Sequence, residues 1–345
     1  MEGAMINQDV QQEPSSRPDV GPPLDHDREF CAPIEDADAL KQFFEREGYA
    51  VIRNAVPKEI CEQAKQAFNC DVKTHTGFFR RHATGSLERH VFTEAGFMKY
   101  PIMNIQDLLA PRFSRFRHGG LAILSHPNIQ NIMTTLLGGK GKIIHTMYFD
   151  GNQQTWAHRD SHYIDSEEIG RMIGVWVAAE DIHPGAGRFF VHARSHLAVT
   201  PPEWQLDDID PNGTLYKKKI VELVRDGHSS EFGRVAPILK QGDAIVWSSL
   251  TIHGSLETTA TDRSRRSFTA HYIPEHHHFL SLRRFKGTER GVTRVNGVEI
   301  IQHEDQNRLL SQIKGLGDHV VRNRFPRLHK AYLGYKKWRL EKKTN

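Results

Sequence analysis

Between residues 142 and 274 the chain breaks into short segments rich in Val, Ile, Phe and Trp: KIIHTMYFD, RMIGVWVAAEDI, GRFFVHA, DAIVWSS and RSFTAHYIP. Clusters of Gly, Pro and Asp separate them. Short strands divided by turn signals predict an antiparallel sandwich or barrel. Helical patterns surround this block. DADALKQFFEREG (36–48) has an Asp cap, apolar Leu40, Phe43 and Phe44, and Gly48 as its stop. YAVIRNAV follows as a strand and PKEICEQAKQAFN as a helix with Pro57 in its first turn. HPNIQNIMTTLLGG (126–139) reads as a helix ended by glycines, and beyond Pro274 the pattern turns helical again. The fold class expected is mainly β with flanking helices.

The rest of the 345 residues limits the alternatives. Residues 1–30 hold seven acids, two bases and four prolines, and are expected to be a disordered tail. No stretch approaches the roughly 20 apolar residues that span a bilayer. Three cysteines without a CxxC spacing argue against a disulfide framework and for a reducing, cytoplasmic setting. The formal net charge of +4 comes largely from the tail, where residues 321–345 carry nine bases and one acid, so no nucleic-acid partner is expected.

Among 21 histidines, one pair carries chemistry. His158 and Asp160 in WAHRDSHY are two apart, and on an extended backbone they share a face. With His253, from VWSSLTIHGS, they make a two-His-one-carboxylate set that leaves coordination positions open and suits Fe(II). A second His-x-Asp, His303 and Asp305, falls where a helix should begin, so Asp305 reads as a cap. His192 and His196 have zinc-like spacing, but the β pattern before them disfavours a helical pair. Twelve residues past His253 stands Arg265. In a strand, Arg265, Ser267, Thr269 and His271 share one face. A guanidinium on the inner face needs an anion, and a bound acid cosubstrate would supply one. Arg266 takes the role if the register is shifted by one.

Several motifs recur in a known order: HTM (145–147), HRDSHY (158–163), GVWVAAEDI (174–182), GRFFVHARSHL (187–197), QGDAIVWSSLTIHGS (241–255) and RRSFTAHY (265–272). With the leading GYAVIRNAVPKEICEQA, the chain over about 36–274 resembles the phytanoyl-CoA dioxygenase-like branch of Fe(II)/2-oxoglutarate dioxygenases. The resemblance implies a double-stranded β-helix (jelly-roll, cupin-like) core at about 142–274 within a dioxygenase domain of 31–274. A helical extension, 275–345, would pack on that core. It implies iron on His158, Asp160 and His253, with Arg265 clamping the distal carboxylate of 2-oxoglutarate. Trp176, Met147, Asn104 and Ser255 fall where the family contacts the cosubstrate. The acid at Asp160 argues for oxygen chemistry, since related halogenases lack one there. The chain departs from the family at GRFFVHARSH, where a Pro-Gly-Ser-His turn is usual.

The activity implied is oxidation of a C–H bond of a small molecule with O2, releasing succinate and CO2. The alternatives are an acyl substrate on CoA or a carrier protein, and a non-catalytic β-core binding protein. Phe79, Arg80, His162, Tyr163 and Arg188, with Phe78, Arg81 and His192 beside them, are the substrate-pocket candidates. Phe325, Leu328, Tyr332, Tyr335 and Trp338 recur at helical steps among lysines. That helix is expected on the core or at a homodimer contact; a basic membrane anchor is the sharper reading.

Overall fold

A computed structural model describes residues 36–82, 84–198, 219–224, 232–281, 285–287, 289–325, 327–328 and 331. The acidic stretch 1–30, Lys217 and Lys218, and Tyr332, Tyr335 and Trp338 lie outside the described residues. Helix α1 (Ala37–Glu47) starts where the Asp36 side chain accepts the Ala39 N–H at 2.9 Å, and stops at Gly48 in the left-handed conformation. Strand β1 (Tyr49–Ile52) and helix α2 (Lys58–Ala67) follow as expected. A small hairpin of β2 (Phe79–Arg80) and β3 (Leu87–Glu88) comes next, then β4 (Ile102–Met103).

Helix α3 (Ser114–Leu124) was not visible in the sequence, because two consecutive glycines lower its helix propensity. Packing explains them: a Cβ on Gly120 would sit 2.7 Å from both Ile105 and Phe268. The glycine lets α3 approach the sheet more closely than alanine could. Helix α4 (Pro127–Leu137) ends at left-handed Gly138, as the sequence indicated.

The core is built on β5 (Gly141–Phe149), β6 (Ile164–Ser166), β7 (Ile173–Ala178), β8 (Phe189–His192), β9 (Arg234–Val235), β10 (Ala244–Ser248), β11 (His253–Ser255) and β12 (Ser267–Pro274). The main sheet runs β1-β10-β7-β12-β5, antiparallel throughout, with β4 beside β5. A smaller sheet, β11-β8-β9, lies against it. This is the double-stranded β-helix expected. Alternation sorts the main sheet's side chains. Val175, Val177, Val246, Phe268 and Ala270 join the cluster made with α1 to α4, while Trp176, Ile245 and Trp247 cluster with Val191 and Val235 of the small sheet.

Beyond Pro274 the expected helical run is corrected. Strands β13 (Phe279–Ser281), β14 (Phe285–Lys286), β15 (Gly291–Val295) and β16 (Val298–Gln302) come first. The β15–β16 hairpin turns on Asn296 (φ 51) and Gly297 (φ 82). Two central residues with positive φ are what a tight two-residue hairpin requires, and Asn-Gly is its strongest signal. Through β16, which lies parallel to β5, the hairpin extends the main sheet. Only then does helix α5 (Leu309–Arg324) begin, and its one buried residue is Gly315. Asp305 does not cap it directly; its carboxylate takes the Asn307 N–H in the turn ahead of the helix. No helix of the described residues is long and apolar enough to cross a membrane.

Candidate metal centre

Two backbone hydrogen bonds, each 2.9 Å, join His158 and His253 in an isolated antiparallel bridge. The bridge sets the two imidazoles side by side, with ring centroids 4.4 Å apart. Each ring is oriented by a carbonyl two residues back: Nδ1 of His158 lies 2.7 Å from Trp156 O, and Nδ1 of His253 lies 3.0 Å from Thr251 O. A carbonyl can only accept, so both Nδ1 atoms carry a proton, and Nε2 is on each ring the atom turned toward a metal. Asp160 supplies the third donor. Its Oδ1 lies 3.5 Å from each Nε2, and the three ligand atoms fall within 4.8 Å of one another. Among the described residues this is the one such gathering of three His, Cys, Asp or Glu side chains.

The second carboxylate oxygen is already occupied. Asp160 Oδ2 accepts from Trp247 Nε1 at 2.8 Å and lies 3.2 Å from His271 Nε2. Oδ1 is thereby left facing the two Nε2 atoms. Burial on its own would raise the Asp160 carboxyl, but the surrounding His253, His271 and His158 outweigh it and hold the group well below the usual carboxylate range. Burial pushes His253 down to about 4, so its ring is neutral. Burial would also lower His158, but its contact with Asp160 prevails and raises it.

Sequence reasoning placed His271 on the right face of β12 but missed Trp247. The indole reaches Asp160 because Gly174, its partner across the β10–β7 ladder, has no side chain: a Cβ there would meet the indole at 2.3 Å. Gly174→Ala should therefore destabilise the fold by about 1–3 kcal/mol, the usual cost of overpacking, read as a lowered midpoint in urea. An unchanged midpoint would mean that the indole is not wedged there.

The cavity beside the triad is walled by Trp176, Met147, Thr269, Ser255 and Arg265, among others. Met147, Thr269 and Trp176 form one row across β5, β12 and β7. Arg265 is 2% exposed and has no acidic partner among the described residues. Nη2 donates to Gln153 O at 3.0 Å, Nη1 donates to Gly187 O, and Nε has no hydrogen-bond partner. Burial alone depresses the guanidinium, to about 10. Arg266 lies elsewhere, paired with Asp150 at 2.8 Å and Glu180 at 3.8 Å, so of the two arginines it is Arg265 that lines the cavity. The Thr269 hydroxyl is also buried without a partner. Ser255 Oγ accepts the Thr155 N–H at 2.7 Å. Asn104 is not on the wall; it sits left-handed (φ 56) after β4, its N–H bonded to Thr146 O at 2.6 Å.

The substrate candidates need correction. Phe79 is fully buried against His90 and Phe113, Arg80 pairs with Glu304 at 2.5 Å, and the Arg188 Nη1 donates to Ala236 O at 2.6 Å. None of the three lines the cavity, and neither do His162 and Tyr163. His82, two residues on from Arg80, does. Tyr163 stands edge-on to His158 at 6.0 Å, with His162 against it at 4.9 Å. The other histidine pairs are spoken for by structure: His303 Nε2 lies 2.6 Å from Ile144 O and His196 Nε2 lies 3.0 Å from Glu45 O.

The donor set fits a divalent iron: two imidazole Nε2 atoms and a carboxylate oxygen gathered at one point. An unbalanced guanidinium and a bare hydroxyl in the same cavity fit a small carboxylate ligand. The human peroxisomal phytanoyl-CoA dioxygenase is 24% identical over 265 residues, covering 72% of this chain and 71% of that protein. A Danio rerio phytanoyl-CoA dioxygenase domain-containing protein 1 is 24% identical over 279 residues, covering 70% and 90%. The solved epimerase SnoN, in complex with Fe3+, alpha ketoglutarate and nogalamycin RO, shares the fold with a TM-score of 0.52 at 18% identity, covering 78% and 97%. The sequence profile of the phytanoyl-CoA dioxygenase (PhyH) family matches residues 44–267, well over half of the chain, and the chain belongs to that family.

Proposed function

We propose that this protein is an Fe(II)- and 2-oxoglutarate-dependent oxygenase that oxidises a C–H bond of a small molecule. The observation that carries the reading is the pairing, in one cavity, of three converging ligand atoms with a buried arginine that meets no acid among the described residues. Iron with 2-oxoglutarate supplies the chemistry of O2 activation, releasing succinate and CO2 as the substrate is oxidised.

The chain's own residues do the rest. His158 and His253 hold their Nε2 lone pairs forward because Trp156 and Thr251 carbonyls fix the tautomer. Asp160 offers one oxygen, its other being held by Trp247 and His271. Arg265 meets the far carboxylate of the cosubstrate, with Thr269 as a further donor. Trp176 and Met147 form part of the wall. His82, which lines the cavity, is the polar group that would face a substrate.

The experiment is anaerobic addition of Fe(II) and 2-oxoglutarate, expected to give a weak visible charge-transfer band, followed by succinate release against a metabolite panel. No band, and no succinate above background with any compound, would sink the proposal. A second reading, an acyl group carried on CoA, is favoured by the name of the human relative. The panel separates the two by pairing free acids with their CoA thioesters. Trp247→Phe keeps an aromatic ring but removes the donor to Asp160 Oδ2. Iron affinity should fall by roughly 10–100-fold, the usual cost of an outer-sphere partner, measured by metal titration under argon; undiminished affinity would show that the indole does not orient the carboxylate.

A further inference from the structure

Helix α5 is held to the protein by its polar side. The Gln312 side chain bonds both Phe78 N and Phe78 O at 2.9 Å, Arg322 pairs with Glu88, and Gly315 packs on Phe78 and Leu87. Residues 312, 315, 319 and 322 make one helical face. The apolar residues fall on the other side. Leu309, Leu310, Ile313, Leu316, Val320 and Val321 are between 36% and 72% exposed. A contiguous apolar face open to water marks a site of contact, and among the described residues nothing covers it.

Charge identifies the occupant. Residues 309–345 contain ten Lys and Arg against two acids. A second copy would bring two segments of like net charge together, which is poor self-complementarity. A nucleic acid answers the charge but has no use for the leucines. An anionic lipid surface answers both: its acyl boundary takes the apolar face and its headgroups take the basic side chains of the same segment. We infer that α5 seats the protein on negatively charged membrane surfaces, as a peripheral helix lying in the interface. The inference is independent of the catalytic reading, since no residue of the cavity takes part.

The full-length protein is mixed with vesicles of phosphatidylcholine alone, or of phosphatidylcholine with phosphatidylserine, and sedimented. Binding to the anionic vesicles should exceed binding to the neutral ones at least roughly tenfold at low salt, as several basic side chains near the surface would give. It should collapse near 1 M salt, where screening shortens to about 3 Å. Two variants separate the parts. Ile313→Asp with Leu316→Asp should abolish binding while leaving the iron and 2-oxoglutarate absorption band intact; both positions are exposed, so the fold has no need of them. Arg324→Gln with Arg327→Gln should weaken binding and its salt dependence together. Wild type left in the supernatant with anionic vesicles overturns the inference. So does equal binding by the Asp variant, or a dimer in light scattering that the same two substitutions dissolve, which would assign the face to a second copy.

Discussion

Asp160→Ala will remove Fe(II) binding more completely than a change to any outer partner of the site, beyond the roughly 10–100-fold that such partners contribute. The reason lies in how the three ligands are held. His158 and His253 are fixed by their shared backbone bridge, whatever side chain stands at 160. Both rings would therefore stay in place in the variant, neutral and oriented, while the anionic donor is gone. Two neutral imidazoles alone make a weak site for a hard divalent ion. The loss also leaves the Trp247 indole N–H and the His271 imidazole without their acceptor, so a second signature is expected: a modest loss of stability in the metal-free protein. Titration with Fe(II) under argon reads the first effect, and chemical denaturation of the apoprotein reads the second. Wild-type iron affinity in the variant would mean that these three side chains do not bind the metal.

What the sequence revealed, and what it hid, follows the range of the interactions involved. His158 and Asp160 were legible because a period of two puts them on one face without help from the rest of the chain. Thr269 and His271 were legible for the same reason once Arg265 was placed. Trp247 was not, because the direction of its indole depends on the empty space left by Gly174 on the neighbouring strand. The cavity wall near the N-terminal side misled in a similar way. Arg80 looked like an anion binder, yet it is drawn to Glu304, a residue more than 200 positions later, and the short strand then delivers His82 to the cavity instead. The hairpin at 291–302 was a different kind of miss. Its signal, Asn296-Gly297 between alternating apolar residues, is local and was present; it was absorbed into the helical pattern that begins in earnest only at Leu309. The same continuity hid the two-sidedness of α5, since exposure is fixed by what Gln312 and Gly315 find to dock against.

Arg265→Met separates a residue kept for function from one kept for stability, because the two predict opposite signs. In the free protein this guanidinium is a burden: 2% exposed, without an acid, its Nε unpaired, and depressed by burial to about 10. Methionine fills similar space without charge, and replacing a poorly compensated buried charge by an apolar side chain is commonly neutral or stabilising. The metal-free variant should thus melt no lower than wild type. Cosubstrate binding should move sharply the other way. Removing one partner of a buried, hydrogen-bonded charge pair costs about 3–5 kcal/mol, so the 2-oxoglutarate concentration needed for half-maximal turnover should rise by about 10²–10³-fold. Iron affinity should be spared, since Arg265 supplies no ligand atom. Thermal shift gives an independent reading. Saturating 2-oxoglutarate with iron should raise the wild-type midpoint, because a ligand that binds only the folded state stabilises it, while the variant should barely respond at the same concentration. If instead the arginine serves to tie Gly187 and Gln153 together through their carbonyls, the metal-free variant will melt lower and its 2-oxoglutarate requirement will stay where it was. That result would remove the anion from this end of the cavity and, with it, the reason for an uncompensated charge there.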